Sequence, residues 1–229
     1  MASKAERGER RTDALSKERI VETAIEILDA DGEGALTFRA LTERLSTGAG
    51  AIYWHVANKN ELLAATTNDV IARAMTSVVH TKDPKKAIRA IGLAVFDAFD
   101  AHPWAGSQLS REPWQPAVLR IFEAIGGQLE ALGVPQRSQF DSATALVTYI
   151  LGLAGQYAAG ARLIAPGTDR SAFLADVATE WEQFDEATYP FVRRMAGQLR
   201  DHDDRAQFLA GLDLLLTGIA SPPKTNTTT

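Results

Sequence analysis

Apolar residues recur every three or four positions along almost the whole chain, which is the spacing of one face of an α-helix. In the first such run, Ile20, Ala24 and Ile27 share a face, Ser16 stands where a helix cap is expected, and Gly32 follows. A serine can cap the first turn of a helix and a glycine commonly ends one. No stretch shows the alternation of a strand and no repeat period is evident, so the pattern predicts an all-α protein.

Two shorter helical patterns follow, separated by a three-residue turn. Leu41 and Leu45 give the inner face of the first, and Ile52 and Val56 that of the second. Residues 46–48 have turn chemistry, and we expect Gly48 to accept the unusual backbone angles. A helix, a tight turn and a second helix form a helix-turn-helix, which places its second helix in the major groove of DNA. The spacing alone also fits an ordinary helical hairpin.

The identities of the residues in this region carry a resemblance to a known family. The chain has Leu36-Thr37-x-Arg39-x-Leu41 and then Ile52-Tyr53-Trp54-His55-Val56-x-Asn58-Lys59-x-Glu61-Leu62-Leu63. These strings closely resemble the DNA-binding domain of the TetR family of bacterial regulators, over about residues 16–66. A weaker resemblance, to the last helix of the family's C-terminal domain, lies in residues 208–218.

Composition, for the two ends of the chain, and the resemblance, for the parts between them, indicate four regions. Residues 1–15 would be a disordered arm, 16–66 a three-helix helix-turn-helix domain, 67–220 a larger helical domain for ligand binding and dimerisation, and 221–229 a disordered tail. The arm carries bases that its acids nearly cancel, so a solvated tail and an arm along the DNA both remain open.

The chain departs from the family pattern in three places. Ser46 stands where the turn usually has glycine and Thr47 where an apolar residue is usual, so we expect a slightly looser turn. The histidine that tetracycline-binding members carry in their fourth helix is not seen, and Met75 falls near its place. Tetracycline with magnesium is therefore not implied.

Composition narrows the classes further. The chain has 229 residues, 45% of them hydrophobic and 23% charged, with a formal net charge of −5 and no cysteine. Attraction to DNA must therefore come from a local basic surface, and no disulfide or thiolate metal site is possible. Since no secretion signal is evident, we expect a cytoplasmic protein.

Residues 142–161 contain no charged side chain. A membrane span is the weaker interpretation, because polar residues interrupt the segment and no second segment resembles it. A helix buried on several sides is favoured. Gly152, Gly155, Ala158 and Ala159 would allow another helix to approach closely. We therefore expect no membrane association.

Residues for other chemistry are sparse. There is no phosphate-binding glycine loop and no HExxH zinc motif, and the four histidines do not cluster. His102 could bind a metal, although a histidine beside a proline more often makes a local hydrogen bond. We therefore expect no catalytic residue, no metal and no cofactor, and a helical enzyme is the weakest of three hypotheses.

The leading hypothesis is a ligand-responsive repressor that binds a palindromic double-stranded DNA operator as a homodimer and is released by a small-molecule effector. The alternative is a helical small-molecule-binding or scaffolding dimer without specific operator recognition. Small residues at the start of the recognition helix keep this alternative open.

The DNA-contacting residues expected from the resemblance and from helix geometry share the helix-turn-helix and the start of the next helix. Arg39 is placed to reach a base edge, and Lys59 lies at a helix start where phosphate binds. The complete set is Thr37, Arg39, Thr47, Ala49, Gly50, Ala51, Tyr53, Trp54, His55 and Lys59.

The effector pocket is expected between the linker helix that starts near Asn58, the helix of residues 88–99 and the uncharged helix. Its expected lining is apolar with few polar groups, which is typical of pockets in helical bundles. The lining set is Met75, Phe96, Phe99, Trp104, Phe122, Tyr149, Gln156 and Tyr157.

The dimer interface is expected to be a four-helix arrangement of residues 146–159 and 208–219 from each subunit. Both segments carry more apolar surface than one core face can cover. On this prediction Leu216→Glu would place a charge in the interface.

Overall fold

A computed structural model describes residues 15–78, 81–111, 114–161 and 169–220. These residues form eleven α-helices and no strand, which confirms the all-α prediction. The helices are α1 Lys17–Asp31, α2 Phe38–Leu45, α3 Ala49–Tyr53, α4 Lys59–Thr76, α5 Pro84–Ala101, α6 Pro103–Arg111, α7 Pro116–Ala131, α8 Gln136–Ala161, α9 Arg170–Gln183, α10 Pro190–Arg200 and α11 Asp204–Ala220. Residues 1–14 of the expected N-terminal arm, the C-terminal tail and His80 lie outside the described residues, whereas Leu15 packs against the core.

Side-chain caps mark the starts of α1 and α2 in the N-terminal part. The Ser16 hydroxyl accepts a hydrogen bond from the backbone N–H of Arg19 at 3.2 Å, and the Thr37 hydroxyl accepts one from Ala40 at 3.1 Å. Such bonds satisfy backbone donors that have no partner inside the helix. Gly32, with a φ of 76°, follows the end of α1, as its position in the sequence predicted.

The turn between α2 and α3 differs from the expectation in one residue. Ser46, not Gly48, adopts the left-handed conformation, with a φ of 49°. Gly48 is extended, with a φ of −85°, and is the N-cap of α3. Ser46 thus takes the backbone conformation that glycine adopts most easily, at the position where the family usually has glycine. Thr47 does not cap α3, which has no side-chain cap.

The recognition helix is also shorter than expected. α3 ends at Tyr53, and Trp54 and His55 lie in the turn that follows it. Helical spacing alone places Tyr53 and His55 in the middle of this helix, whereas Tyr53 is its last residue and His55 lies beyond its end. The backbone N–H of His55 bonds the carbonyl of Ile52 at 2.9 Å, a tighter pattern than the α-helical one.

The long helix α4 connects the two parts of the molecule. The Asn58 side chain accepts a hydrogen bond from the backbone of Glu61 at 2.9 Å, and the Glu61 carboxylate accepts one from Ala57 at 2.8 Å. This reciprocal pair resembles a capping box, as the spacing predicted. The bond from Ala57, followed by the bond from Lys17, holds the pKa of Glu61 below its usual range. α4 packs on α1 on one side and on α5, α6 and α7 on the other.

The C-terminal helices pack around α8, which contacts α5, α6, α7 and α11. A Cβ placed on Gly106 would lie 3.2 Å from the Cα of Gly155, so α6 and α8 cross with almost no space between their backbones. This contact confirms the expectation that small residues on α8 admit a neighbouring helix. α9 and α10 pack chiefly on each other and form a helical hairpin beside the bundle. None of the described helices is long and apolar enough to span a bilayer.

The last helix, α11, corrects one expectation about the dimer interface. Leu216 is only 3% exposed and belongs to the core of its own subunit, together with Phe208 and Leu212. Leu214 points outward instead and is 75% exposed. A charge at Leu216 would therefore disrupt the subunit itself, and Leu214 is the residue that can report on an interface.

Candidate functional site

The α2–turn–α3 unit presents an exposed surface at one end of the molecule. Ala49, Gly50 and Ala51 are exposed on α3, whereas Ile52 between them and the core is fully buried. Trp54 is 88% exposed, which is unusual for so large an apolar side chain. Tyr53 is 52% exposed and stacks on Phe38 with ring centroids 4.4 Å apart. The Phe38 ring therefore fixes the Tyr53 ring at the surface.

Arg39 and Thr37 lie beside this surface, at the start of α2. The Arg39 side chain is 89% exposed, and its Nε donates to Glu43 at 2.9 Å. The hydrogen bond and charge of Glu43 raise the pKa of Arg39. An exposed i,i+4 pair contributes little to stability, so Arg39 can leave Glu43 for another partner at small cost. Thr37 is exposed, with its hydroxyl engaged in the helix cap.

Lys59, His55 and Thr47 are half-buried around the same surface. The Lys59 ammonium donates to the backbone carbonyl of Glu33 at 2.7 Å. An ammonium has three donors, so this bond leaves two for a further acceptor. The backbone N–H of Thr47 bonds the carbonyl of Thr42 at 3.1 Å and closes the turn.

A set of polar contacts joins α1 and the turn after it to α6. The Asp29 carboxylate accepts from Trp104 Nε1 at 2.7 Å and faces His102 Nδ1 at 2.8 Å. The Glu33 carboxylate accepts from Gln108 at 3.0 Å and from Arg111 at 2.9 Å. We call this set the α1–α6 bridge.

Sequence reasoning missed the α1–α6 bridge. Its partners are more than 70 residues apart in the chain, and no local pattern connects them. His102 makes a hydrogen bond, but its partner Asp29 is 73 residues away, so the bond is not the local one that was expected beside a proline. Within the described residues, no group of histidines and carboxylates is arranged to hold a metal ion.

A cavity of about 470 Å³ lies between the bundle and the α9–α10 hairpin. α5 contributes Phe96 and Asp100, α8 contributes residues 154–160, and the hairpin contributes Arg170, Phe173 and Leu199. The start of α11 closes it. The lining residues are Phe96, Asp100, Ala154, Gln156, Tyr157, Ala158, Gly160, Arg170, Phe173, Leu174, Leu199, His202 and Asp204.

The polar groups of the cavity meet at Asp204. Arg170 bonds one carboxylate oxygen of Asp204 at 2.6 Å, and His202 Nε2 lies 2.9 Å from the other. The Tyr157 hydroxyl donates to Gln207. Burial and, secondly, the charge of Asp204 raise the pKa of Tyr157 to about 12, so its phenol is neutral at physiological pH.

Three of the expected pocket residues, Phe96, Gln156 and Tyr157, line this cavity. The other five lie elsewhere. Phe99 is 1% exposed in the core, and Trp104 binds Asp29. The remaining three are half-buried: Met75 on α4, Phe122 against Phe140, and Tyr149, whose hydroxyl donates to the carbonyl of Phe208 at 3.0 Å. The hairpin residues Arg170 and Phe173 were not foreseen, because no periodicity indicates where a hairpin docks.

A capped helix-turn-helix with an outward recognition surface, joined by one long helix to a larger helical bundle, defines a DNA-binding regulator with a second helical domain. Comparison with known proteins supports the same class of protein. Residues 20–66 match the family described as "Bacterial regulatory proteins, tetR family", and residues 82–222 match "Tetracyclin repressor-like, C-terminal domain". The chain belongs to the TetR family of transcriptional regulators.

Individual relatives agree over different lengths. The transcriptional regulator SCO7222 of Streptomyces coelicolor is 50% identical, with a TM-score of 0.80 over 91% of this chain and 99% of its own. An HTH-type transcriptional regulator of Saccharopolyspora erythraea is 28% identical over 210 residues, 90% of this chain and 85% of its own. The Escherichia coli tetracycline repressor of class C is 42% identical over 67 residues, only 29% of this chain and 28% of its own.

Proposed function

We propose that this protein is a ligand-responsive repressor. It binds a palindromic double-stranded DNA operator as a homodimer, and a small-molecule effector in the α5/α8/α9 cavity releases it. In this proposal residues 16–66 form the DNA-binding domain and residues 67–220 the effector-binding and dimerisation domain. As a regulator of bacterial genes it would act in the cytoplasm, where the chromosome lies.

The observation that carries the proposal is the exposure of the surface formed by α2, the turn and α3, which we call the recognition surface. Trp54 is 88% exposed and Arg39 is held only by an exposed glutamate on its own helix. Large apolar side chains and long donors left without a packing role mark a binding surface. A scaffold without operator recognition would have no physical reason to expose these side chains together.

On the DNA, the proposed roles follow from side-chain chemistry. Arg39 would read a guanine through O6 and N7, and Lys59 would bind a phosphate at the start of α4. Tyr53, Trp54 and His55 would contact the backbone or groove. The remaining contact residues offer few direct base readers, so DNA shape and thymine methyl contacts would add specificity; these residues are Thr37, Thr47, Ala49, Gly50 and Ala51.

The proposed dimer would form through α8 and α11. Ala145, Thr148 and Gly152 begin an exposed uncharged stripe along α8 that continues to Gln156 and Ala159. A parallel stripe on α11 contains Ala210 and Leu214. Two long stripes without charge, on neighbouring helices, support a four-helix contact with a second copy.

We propose that the effector acts through α5 and the α1–α6 bridge, in addition to the linker helix α4. Phe96 and Asp100 line the cavity on the last two turns of α5, and His102 directly follows that helix. An effector that shifts this end of α5 would displace the contacts of His102 and Trp104 with Asp29. If it prefers the geometry that misplaces the two recognition helices, it lowers DNA affinity, and DNA lowers effector affinity by the same factor.

A mobility-shift titration with DNA from upstream of the protein's own gene tests the proposal. We expect specific retardation in the presence of excess competitor DNA. Compounds that raise the thermal unfolding midpoint in a library screen should then release the DNA. The proposal fails if the upstream fragment binds no better than a scrambled duplex of equal length.

A further inference from the structure

The two carboxylates that line the cavity differ in whether a basic side chain of the lining is paired with them. The described lining contains two carboxylates, Asp100 and Asp204, and one guanidinium, Arg170. Arg170 lies 2.6 Å from Asp204, and His202 bonds the same carboxylate at 2.9 Å. Both basic side chains of the lining are therefore already engaged with a carboxylate. An anionic ligand at Arg170 would have to share the guanidinium with Asp204 and would face the negative charge of that carboxylate.

Asp100 is the second carboxylate of the cavity lining. It lies on the last turn of α5 and has no hydrogen bond or ion pair with any described residue. Its charge is a minor contribution, after the hydrogen bond and charge of Asp97, to the raised pKa of Arg205. Arg205, however, is paired first with Asp97, on the same helix as Asp100. Among the described residues, the cavity thus presents one carboxylate without a direct partner.

Aromatic rings surround the same space. Phe96 and Tyr157 meet edge to face with centroids 5.9 Å apart, and Phe173 on the hairpin is 37% exposed. The face of an aromatic ring attracts a cation and also packs well against an apolar body. Tyr157 takes part as a neutral phenol, because its pKa is about 12.

We propose that this cavity binds organic cations, namely compact aromatic or alicyclic molecules that carry one ammonium group. The ammonium would lie at Asp100 and the apolar body among Phe96, Tyr157 and Phe173. A volume of about 470 Å³ suits a ligand of drug-like size or smaller. The inference rests on the proposed function only in taking this cavity as the effector site.

A charge-matched series of probes tests the class of ligand. Isothermal titration without DNA would compare naphthylmethyl-trimethylammonium, the neutral naphthylmethanol and the anionic naphthylacetate. We expect the cation to bind about tenfold more tightly than the neutral probe, since one charge contact and cation–π attraction are added. The anion should bind most weakly.

The variant Asp100→Asn keeps the size of the side chain and removes its charge. It should remove the part of the preference for the cation that the charge of Asp100 contributes, leaving only the smaller cation–π part, and it should leave the affinity for the neutral probe unchanged. Asp141→Asn, an exposed carboxylate on α8 outside the cavity lining, is the matched control and should keep the preference for the cation.

The proposal is overturned if the wild type does not bind the cation, if the neutral or anionic probe binds as tightly, or if Asp100→Asn keeps the preference undiminished. DNA release is measured separately. A cation that binds selectively but leaves the operator complex intact contradicts the effector role and leaves the class of ligand standing.

Discussion

Arg39 combines high exposure with a single weak contact. Its one bond to a described residue is with Glu43, four residues along the same helix, where both side chains are largely in solvent. Arg44, on the same helix, instead faces α1, with Asp31 at 3.5 Å and Glu26 at 3.9 Å. Two arginines on one helix therefore offer a direct comparison.

We predict that Arg39→Ala weakens binding to the operator by about 1–3 kcal/mol and relaxes base preference at one position of each half-site. The expected cause is the loss of a bidentate contact with guanine. Fluorescence anisotropy at fixed salt measures the affinity. Arg44→Ala is the control and should change it much less. Full operator affinity in Arg39→Ala would remove this residue from the DNA-contacting set.

Residues that cap helices were predictable because the interactions of a cap are local. Ser16, Thr37 and Asn58 each bond a backbone N–H within three residues, and serine, threonine and asparagine are residue types that favour helix caps. The left-handed turn residue was not predictable, because glycine was available two positions further on. The left-handed conformation instead falls on Ser46, which directly follows the last residue of α2.

At the scale of elements, the α1–α6 bridge connects the two parts of the molecule by side chains that are partly shielded from water. Trp104 is 3% exposed, and its indole N–H donates to an aspartate whose side chain is 34% exposed. Removing a buried donor from a charged acceptor is more costly than removing an exposed one.

We predict that Trp104→Phe lowers the free energy of unfolding by about 1–2 kcal/mol, because the hydrogen bond to Asp29 is lost while most of the ring contact is kept. Urea unfolding measures the change. Trp114→Phe, at a residue that is 84% exposed, is the matched control and should stay within about 0.5 kcal/mol of the wild type. Equal stability of the two variants would show that the Asp29 contact contributes nothing.

The packing of α8 on α11 offers a second comparison of matched variants. A Cβ on Gly211 would collide with the ring and hydroxyl of Tyr149, whereas a Cβ on Gly218 of the same helix would meet nothing within 4 Å.

We predict that Gly211→Ala destabilises the protein by about 1–3 kcal/mol through overpacking. Gly218→Ala should be neutral or stabilising by up to about 1 kcal/mol, because alanine favours the helix. Thermal unfolding distinguishes the two variants. A stabilised Gly211→Ala would mean that Tyr149 leaves its position over α11 without cost.

The helices were easier to predict from the sequence than the contacts they make with one another. Pro84, Pro116 and Pro190 each begin a helix, since proline fits the first turn. For α11, however, apolar residues lie all around the helix, so periodicity could not distinguish the buried Leu216 from the exposed Leu214. The cavity depends on the docking of α9 and α10, which is a tertiary property that no local pattern contains.

At the scale of the whole molecule, the uncharged stripes on α8 and α11 form the surface proposed for dimerisation. Leu214 is its most exposed large apolar residue. A comparable residue outside this surface is Leu119 on α7, which is 55% exposed.

We predict that Leu214→Glu converts the dimer to monomers at micromolar concentration and thereby lowers operator affinity, because a buried unpaired charge opposes association. Sedimentation velocity measures the mass, and circular dichroism should report unchanged helicity. Leu119→Glu should remain dimeric. The proposed interface is wrong if Leu214→Glu stays dimeric or if the wild type is a monomer.

The central claim is that a dimer of this chain reads a palindrome with two α2–turn–α3 units. Selection of tightly bound duplexes from a random pool, followed by sequencing, tests it most directly. The account predicts enrichment of an inverted repeat whose half-sites lie about one helical turn apart or slightly more. Recovery of duplexes without a common sequence, or of a single half-site without its inverted copy, would contradict it.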